Sequence, residues 1–212
     1  LFGGGGLADG SFDVVLIPSR WLAKAHREKT LVDLTPMIDR NPPEDHDDAW
    51  ADDLAAPGRI NGAVLGLPYH DALLCLVYRA DMFEAEILRD VHMAKYGYAM
   101  EPPDTWPDLH RLAKFLNRPE TFLYGTALPA APDGPGPARV LAAMVHARGG
   151  ELLDDGTPDL DAAETAEMLA TYREIVGDGL AVHRDGREMD LYDVGRTFAE
   201  GGLVMAPAPV GF

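Results

Sequence analysis

Two short clusters carry most of the polar chemistry in this chain. Ser19-Arg20-Trp21 closes an apolar run and offers a hydroxyl, a guanidinium and an indole. Ser19 can donate to a ligand hydroxyl, and Arg20 can hold a partner through two parallel N–H bonds. On the alternative reading Ser19 caps the helix that follows and Trp21 belongs to the core. Tyr69-His70-Asp71 lies between two apolar segments. Three polar-capable side chains there are costly unless they face a cleft or solvent, which favours a ligand role for at least one. His70 alone reads as a hydrogen-bonded structural histidine. The run Glu44-Asp45-His46-Asp47-Asp48 reads as a solvated loop rather than a cation site. Patterns for nucleophilic, zinc-dependent and phosphate-cradling sites, such as Gly-x-Ser-x-Gly, His-Glu-x-x-His and Gly-x-x-x-x-Gly-Lys, are missing. Carboxylate pairs are easily drawn from 35 acidic residues and mean little without geometry. The expectation is a binding protein with no catalytic residue, no metal site and no cofactor.

Bulk properties narrow the partners. The 212 residues carry a formal charge of −17, which repels a phosphate backbone and argues against nucleic acid. No apolar run approaches the roughly 20 residues of a membrane helix. The single cysteine, Cys75, sits in Leu73-Leu74-Cys75-Leu76-Val77 and reads as a buried thiol. The opening, Leu1-Phe2 and four glycines, resembles neither a signal peptide nor a natural start, so the sequence is expected to be cut there.

The elements that would position these residues alternate in type. Phe12 to Ile17 reads as a buried strand, followed by a helix from Arg20 to about Lys29. Asn61-Gly62 between apolar positions predicts a hairpin over 59–67. Ala72 to Tyr78 reads as a second buried strand, and Arg79 to Met93 as one helix. Thr105 is placed to cap a helix with Asp108 three residues on. Phe122 to Ala127 is a short strand, and the proline- and glycine-rich stretch 128–137 is irregular. A helix from Arg139 stops at Gly149-Gly150. Asp161 is read as the cap of the next helix. A last helix, Val194 to Glu200, precedes a strand over 203–206. Short connections between alternating strands and helices indicate an α/β fold with mostly parallel central sheets flanked by helices.

Five segments in order resemble the extracellular solute-binding proteins that serve ABC importers for sugars. They are Phe12-Asp13-Val14-Val15 through Trp21; Leu31-Val32-Asp33-Leu34-Thr35-Pro36; Gly66-Leu67-Pro68-Tyr69 through Phe83; Pro103-Asp104-Thr105-Trp106 through Leu109; and Gly149-Gly150 through Phe198-Ala199-Glu200-Gly201-Gly202-Leu203-Val204-Met205. No single piece is diagnostic; the order over nearly the whole chain carries the likeness. The resemblance implies a two-lobe periplasmic-binding-protein clamshell with the ligand in the cleft, hinge closure, and delivery to a membrane permease. It further implies a monomer, a periplasmic or extracellular location, and a small polar ligand, a sugar first. A non-sugar ligand (an acidic solute, a polyamine or a metal ion) is the alternative within the class, and a hydrolytic enzyme the alternative outside it. Members usually begin with another strand and helix and continue beyond the last strand here. The expected first lobe is therefore 1–125, lacking its initial strand and helix, and 126–212 is a partial second lobe.

Within that fold class, ligands sit beyond the carboxyl ends of strands. A sugar needs planar polar partners for its hydroxyls and aromatics for its apolar faces. The expected ligand-binding residues are Ser19, Arg20 and Trp21; Tyr69, His70 and Asp71; Pro129, in a stretch expected to cross between lobes; and Pro207 and Phe212, in a loop expected after the last strand. Members often carry an acidic residue near Ser19. This chain does not, which leaves room for an acidic ligand on Arg20. Trp106 reads as packing, and Trp50 is open to either role.

Overall fold

Asn61 and Gly62 both adopt left-handed backbone, with φ of 51° and 84°. That pair of angles makes a two-residue turn whose twist matches a hairpin. β1 (Arg59–Ile60) and β2 (Ala63–Val64) accordingly pair antiparallel, Arg59 opposite Val64 and Ile60 opposite Ala63. The computed structural model describes residues 6–7, 9–44, 50–69, 73–132, 134–177 and 188–209. These form two compact units, 1–71 and 72–212. The hairpin belongs to the first unit, with α1 (Leu22–Glu28), α2 (Thr35–Arg40) and α3 (Asp52–Ala55). Val64 ties it to the start of α2: its carbonyl accepts from Leu34 N at 2.8 Å, and its amide donates to Thr35 Oγ1 at 3.0 Å.

Two expectations fail in this unit. Residues 12–17 do not form a strand, and Val14 and Leu16 are 90% and 73% exposed. A strand is stable only when a neighbour satisfies its N–H and C=O groups, and no described strand does so here. Ser19 does not cap a helix with its side chain. Ser19–Trp21 is a 3-10 turn closed by Trp21 N on the Pro18 carbonyl at 2.9 Å, and α1 starts one residue later.

The second unit is built on β3 (Leu74–Tyr78), β4 (Tyr124–Thr126) and β7 (Leu203–Pro209), in the order β3-β7-β4. β7 runs antiparallel to β3 and parallel to β4, so the described central sheet is mixed. Residues 203–208 are all buried. α6 (Trp106–Leu116), α7 (Gly136–Ala147) and α8 (Ala163–Gly177) supply the main core: Leu112, Ala113 and Leu116, then Val140 and Met144, then Met168 and Ile175. α9 (Leu191–Ala199) packs Val194 with Leu203 and Ala206. The hairpin of β5 (Leu153–Asp154) and β6 (Thr157–Pro158) lies between α7 and α8 in the chain.

Local chemistry explains the ends of these elements. Thr105 Oγ1 accepts from Asp108 N at 3.2 Å and donates to Asp108 Oδ2 at 2.7 Å, which starts α6 as expected. The helix expected over 79–93 breaks at Ala85, where ψ is 112°, into α4 (Ala80–Glu84) and α5 (Glu86–Tyr96). Asp159, not Asp161, serves the start of α8: its carboxylate accepts from Asp161 N and Ala162 N at 3.2 and 3.1 Å. Cys75 is exposed rather than buried, on β3 at the edge of the described sheet. The expected change of lobe near residue 125 falls inside β4, within the second unit.

Gly125 is required by a close approach. A methyl carbon there would sit nearer than 3.0 Å to the Ala113 carbonyl of α6. Gly125→Ala is expected to cost about 3 kcal/mol through overpacking. Gly134→Ala, which meets nothing closer than 3.9 Å, should leave the melting temperature nearly unchanged. Matched thermal melts decide this.

Thr105→Ala should cost about 1 kcal/mol through the lost cap. Asp108 is held below the ordinary carboxylate range, first by its hydrogen bond from Thr105 and then by Arg111. A depressed carboxylate contributes stability above its unfolded pKa and loses it as pH falls through the folded one. The Thr105→Ala penalty should therefore narrow in acid, as read from denaturant melts at pH 7 and pH 3.

Candidate functional site

In the first unit, the segment that leads into Tyr69 lines a cavity, at Gly66, Leu67 and Pro68. Gly58 and Gly66 meet so closely that a methyl at Gly58 would fall nearer than 3.0 Å to the Gly66 carbonyl. Leu65 N donates to the Gly58 carbonyl at 2.9 Å. The side chain of Leu22 lies 3.7 Å from where a methyl at Gly66 would stand. The Ser19–Trp21 turn packs on the Ala56–Gly58 turn. Glycine at 58 and 66 thus lets Leu22 and the 19–21 turn approach this junction.

Beside this junction is a cavity of about 360 Å³, lined by Trp50, Asp52, Arg59, Leu67 and Pro68 among others. That is within the range of roughly 300–1,000 Å³ usual for small-molecule sites. Asp52 starts α3, so its place on the wall follows from the helix that Pro57-Gly58 ends. Arg59 is held on β1 opposite Val64. Neither Asp52 nor Arg59 makes a side-chain hydrogen bond or ion pair among the described residues. Trp50 is open to either role from the sequence, and Asp52 and Arg59 carry no sequence motif. The Asn61-Gly62 turn was the available signal, since it predicts the hairpin that sets Arg59 in place.

The expected residues fare differently. Ser19 and Arg20 are exposed, and the Arg20 guanidinium lies 5.9 Å from the Trp21 ring centroid. Arg20 has no ion pair among the described residues. Tyr69 is 73% exposed and follows directly from Pro68 on the cavity wall. His70, Asp71 and Phe212 lie outside the described residues, as do residues 45–48 of the acidic run.

Pro129 and Pro207 belong to the second unit. Pro129 is buried, and its carbonyl accepts from the Tyr172 hydroxyl. Ala130 N and Ala131 N both donate to the Met189 carbonyl, at 2.8 and 3.0 Å. The stretch expected to be a loose crossing is therefore tied down on both flanks. Pro207 lies inside β7 opposite Leu76, not in a loop after the strand. β4 ends at Thr126 opposite Met205, so nothing described on that side needs an N–H from position 207. Pro207 also lines a groove of about 490 Å³ with Cys75, Asp104 and Trp106. Arg148 and Glu167 on its wall are paired at 3.0 Å. Trp106 packs against the main core while edging this groove.

Burial pushes the Tyr172 phenol above its ordinary range, consistent with a hydroxyl committed to one buried acceptor. Tyr172→Phe should cost about 1 kcal/mol. It should also speed hydrogen exchange at Ala130 and Ala131, which nuclear magnetic resonance can read residue by residue.

Comparison with known proteins now fits this architecture. The sequence model of the bacterial extracellular solute-binding proteins matches residues 6–209, and the chain belongs to that family. Its fold is similar to that of an ABC transporter solute-binding protein from Agrobacterium radiobacter K84, solved in complex with ribitol. There the identity is 23%, the TM-score is 0.71, and the match covers 96% of this chain and 47% of that one. A solute-binding protein from Agrobacterium vitis S4 with bound D-mannitol matches at 16% identity and TM-score 0.68, over 95% of this chain and 45% of that one. Maltose-bound MalE3 of Thermotoga maritima matches at 23% identity and TM-score 0.59, over 84% and 42%. The chain thus spans about half the length of these relatives. No curated protein matches it.

Proposed function

We propose that this chain is part of the substrate-binding component of an ABC importer, and that it captures a small polar solute, a sugar or polyol, outside the cytoplasmic membrane. One observation carries the reading. Almost the whole chain follows the fold of solute-binding proteins, and relatives of that fold were solved with ribitol, D-mannitol and maltose. The cavity beside Pro68 supports it, since an indole, a carboxylate and a guanidinium in its lining suit a hydroxylated ring or chain. Ser19, Arg20 and Tyr69 are assigned to the ligand as well, Tyr69 because it directly follows Pro68 of the lining. Pro129 is assigned to holding the second unit together. The protein acts by binding rather than catalysis, delivers its ligand to a membrane permease, and works as a monomer.

The lobe assignment is part of the same proposal. The division at 71/72, with β4 and β7 in one ladder, favours a change of lobe there over one near residue 125.

A thermal-shift panel of polyols, aldoses and disaccharides tests the binding reading. Ligand at a hundredfold excess over Kd should stabilise the protein by about 2.7 kcal/mol. The rise should be selective for one class and shrink in Arg20→Ala and Tyr69→Ala. Turnover of a chromogenic glycoside with no shift from any solute would instead identify an enzyme.

A further inference from the structure

The cavity in the first unit holds two opposite charges that do not satisfy each other. Asp52 and Arg59 both line its 360 Å³, yet no ion pair joins them, and neither is paired elsewhere among the described residues. Lack of a partner alone carries nothing, since Arg20 has none either and faces solvent. Arg59 differs because it stands on the wall of a small concave space, with a carboxylate and the half-buried Trp50 around it.

Each group restricts what can fill that space. A guanidinium presents a planar fork of donors that matches a carboxylate or phosphate. Trp50 offers an apolar face to the C–H side of a sugar or polyol. Asp52 can only accept, so it calls for hydroxyl donors. A neutral polyol satisfies Trp50 and Asp52 but leaves Arg59 facing oxygens that carry no charge. A polyol bearing one anionic group satisfies all three.

We propose that the Trp50–Asp52–Arg59 cavity is the site for a hydroxylated solute that carries one anionic group, a carboxylate or a phosphate ester, with that group on Arg59. The inference rests on the binding reading above and narrows its substrate class. The charge of −17 on the chain does not oppose it at close range. Exposed charges further apart than about 8 Å are largely screened at physiological salt, whereas a direct guanidinium contact is not.

Calorimetric titration of the purified protein tests this with four probes: ribitol, gluconate, glucuronate and ribitol 5-phosphate. At least one anionic probe should bind about tenfold or more tightly than ribitol, as a charge-assisted contact does over a neutral one. Comparing the carboxylates with the phosphate tells the two sources of negative charge apart. Arg59→Gln should remove that preference, bringing the anionic probes down to the affinity of ribitol for the same variant. Arg59→Lys, which keeps the charge but loses the fork, should retain part of it. Arg59 is exposed on a two-residue strand, so neither variant should alter the melting curve of the unliganded protein. Ribitol binding as tightly as the anions, or an anionic preference unmoved in Arg59→Gln, would overturn this inference and leave the sugar or polyol reading standing. No binding by any of the four, nor by the wider panel, would overturn both.

Discussion

Everything in the second unit depends on β7 finding its place between β3 and β4. Its ladder to β3 runs from Leu74 opposite Pro209 to Tyr78 opposite Met205, and its ladder to β4 joins Leu203 and Met205 to Tyr124 and Thr126. Residues 203–208 are buried throughout, which suits the unbroken Leu-Val-Met-Ala run. Pro207 and Pro209 share one parity, the parity that faces β4. They come only after β4 has ended, so the two missing N–H groups leave no gap in either described ladder. Displacing this strand would expose the core residues of α6 on one side and those of α9 on the other.

The first unit is held differently. Its ordering comes from tight backbone approach rather than from a large apolar core, as at Gly58 against Gly66 and Leu34 against Val64. Among the described residues its buried hydrophobic side chains are Leu22, Ala25, Val64 and Leu65. A polar cavity can exist beside such a frame because little apolar side-chain volume competes for the space. The cavity and the thinness of the core thus have one cause.

Signals that act over a few residues were legible in the sequence. Asn61-Gly62 gave the hairpin, Thr105 with Asp108 gave the start of α6, and Gly149-Gly150 gave the end of α7. What failed depended on partners far along the chain. Residues 12–17 have the composition of a strand and no described neighbour to pair with. Cys75 looked buried because its run is apolar, but burial is set by where β3 falls in the sheet. Pro207 looked like the end of a strand because proline cannot donate, and only the early end of β4 makes it acceptable inside one. Arg59 and Asp52 carried no motif, and only the fold brings both to the lining of one cavity.

The outward face of β3 has a further consequence, one of redox chemistry. Cys75 is the single sulfhydryl of the 212 residues, and it is exposed at a sheet edge. It has no second cysteine in this chain with which to close an internal bridge. Under oxidising conditions these 212 residues taken alone can bridge only to thiols of other molecules, and a lone accessible thiol is the usual seed of intermolecular cross-links. Covalent dimers that form in air and vanish with reductant would then report the position of β3 at the edge, rather than a natural assembly.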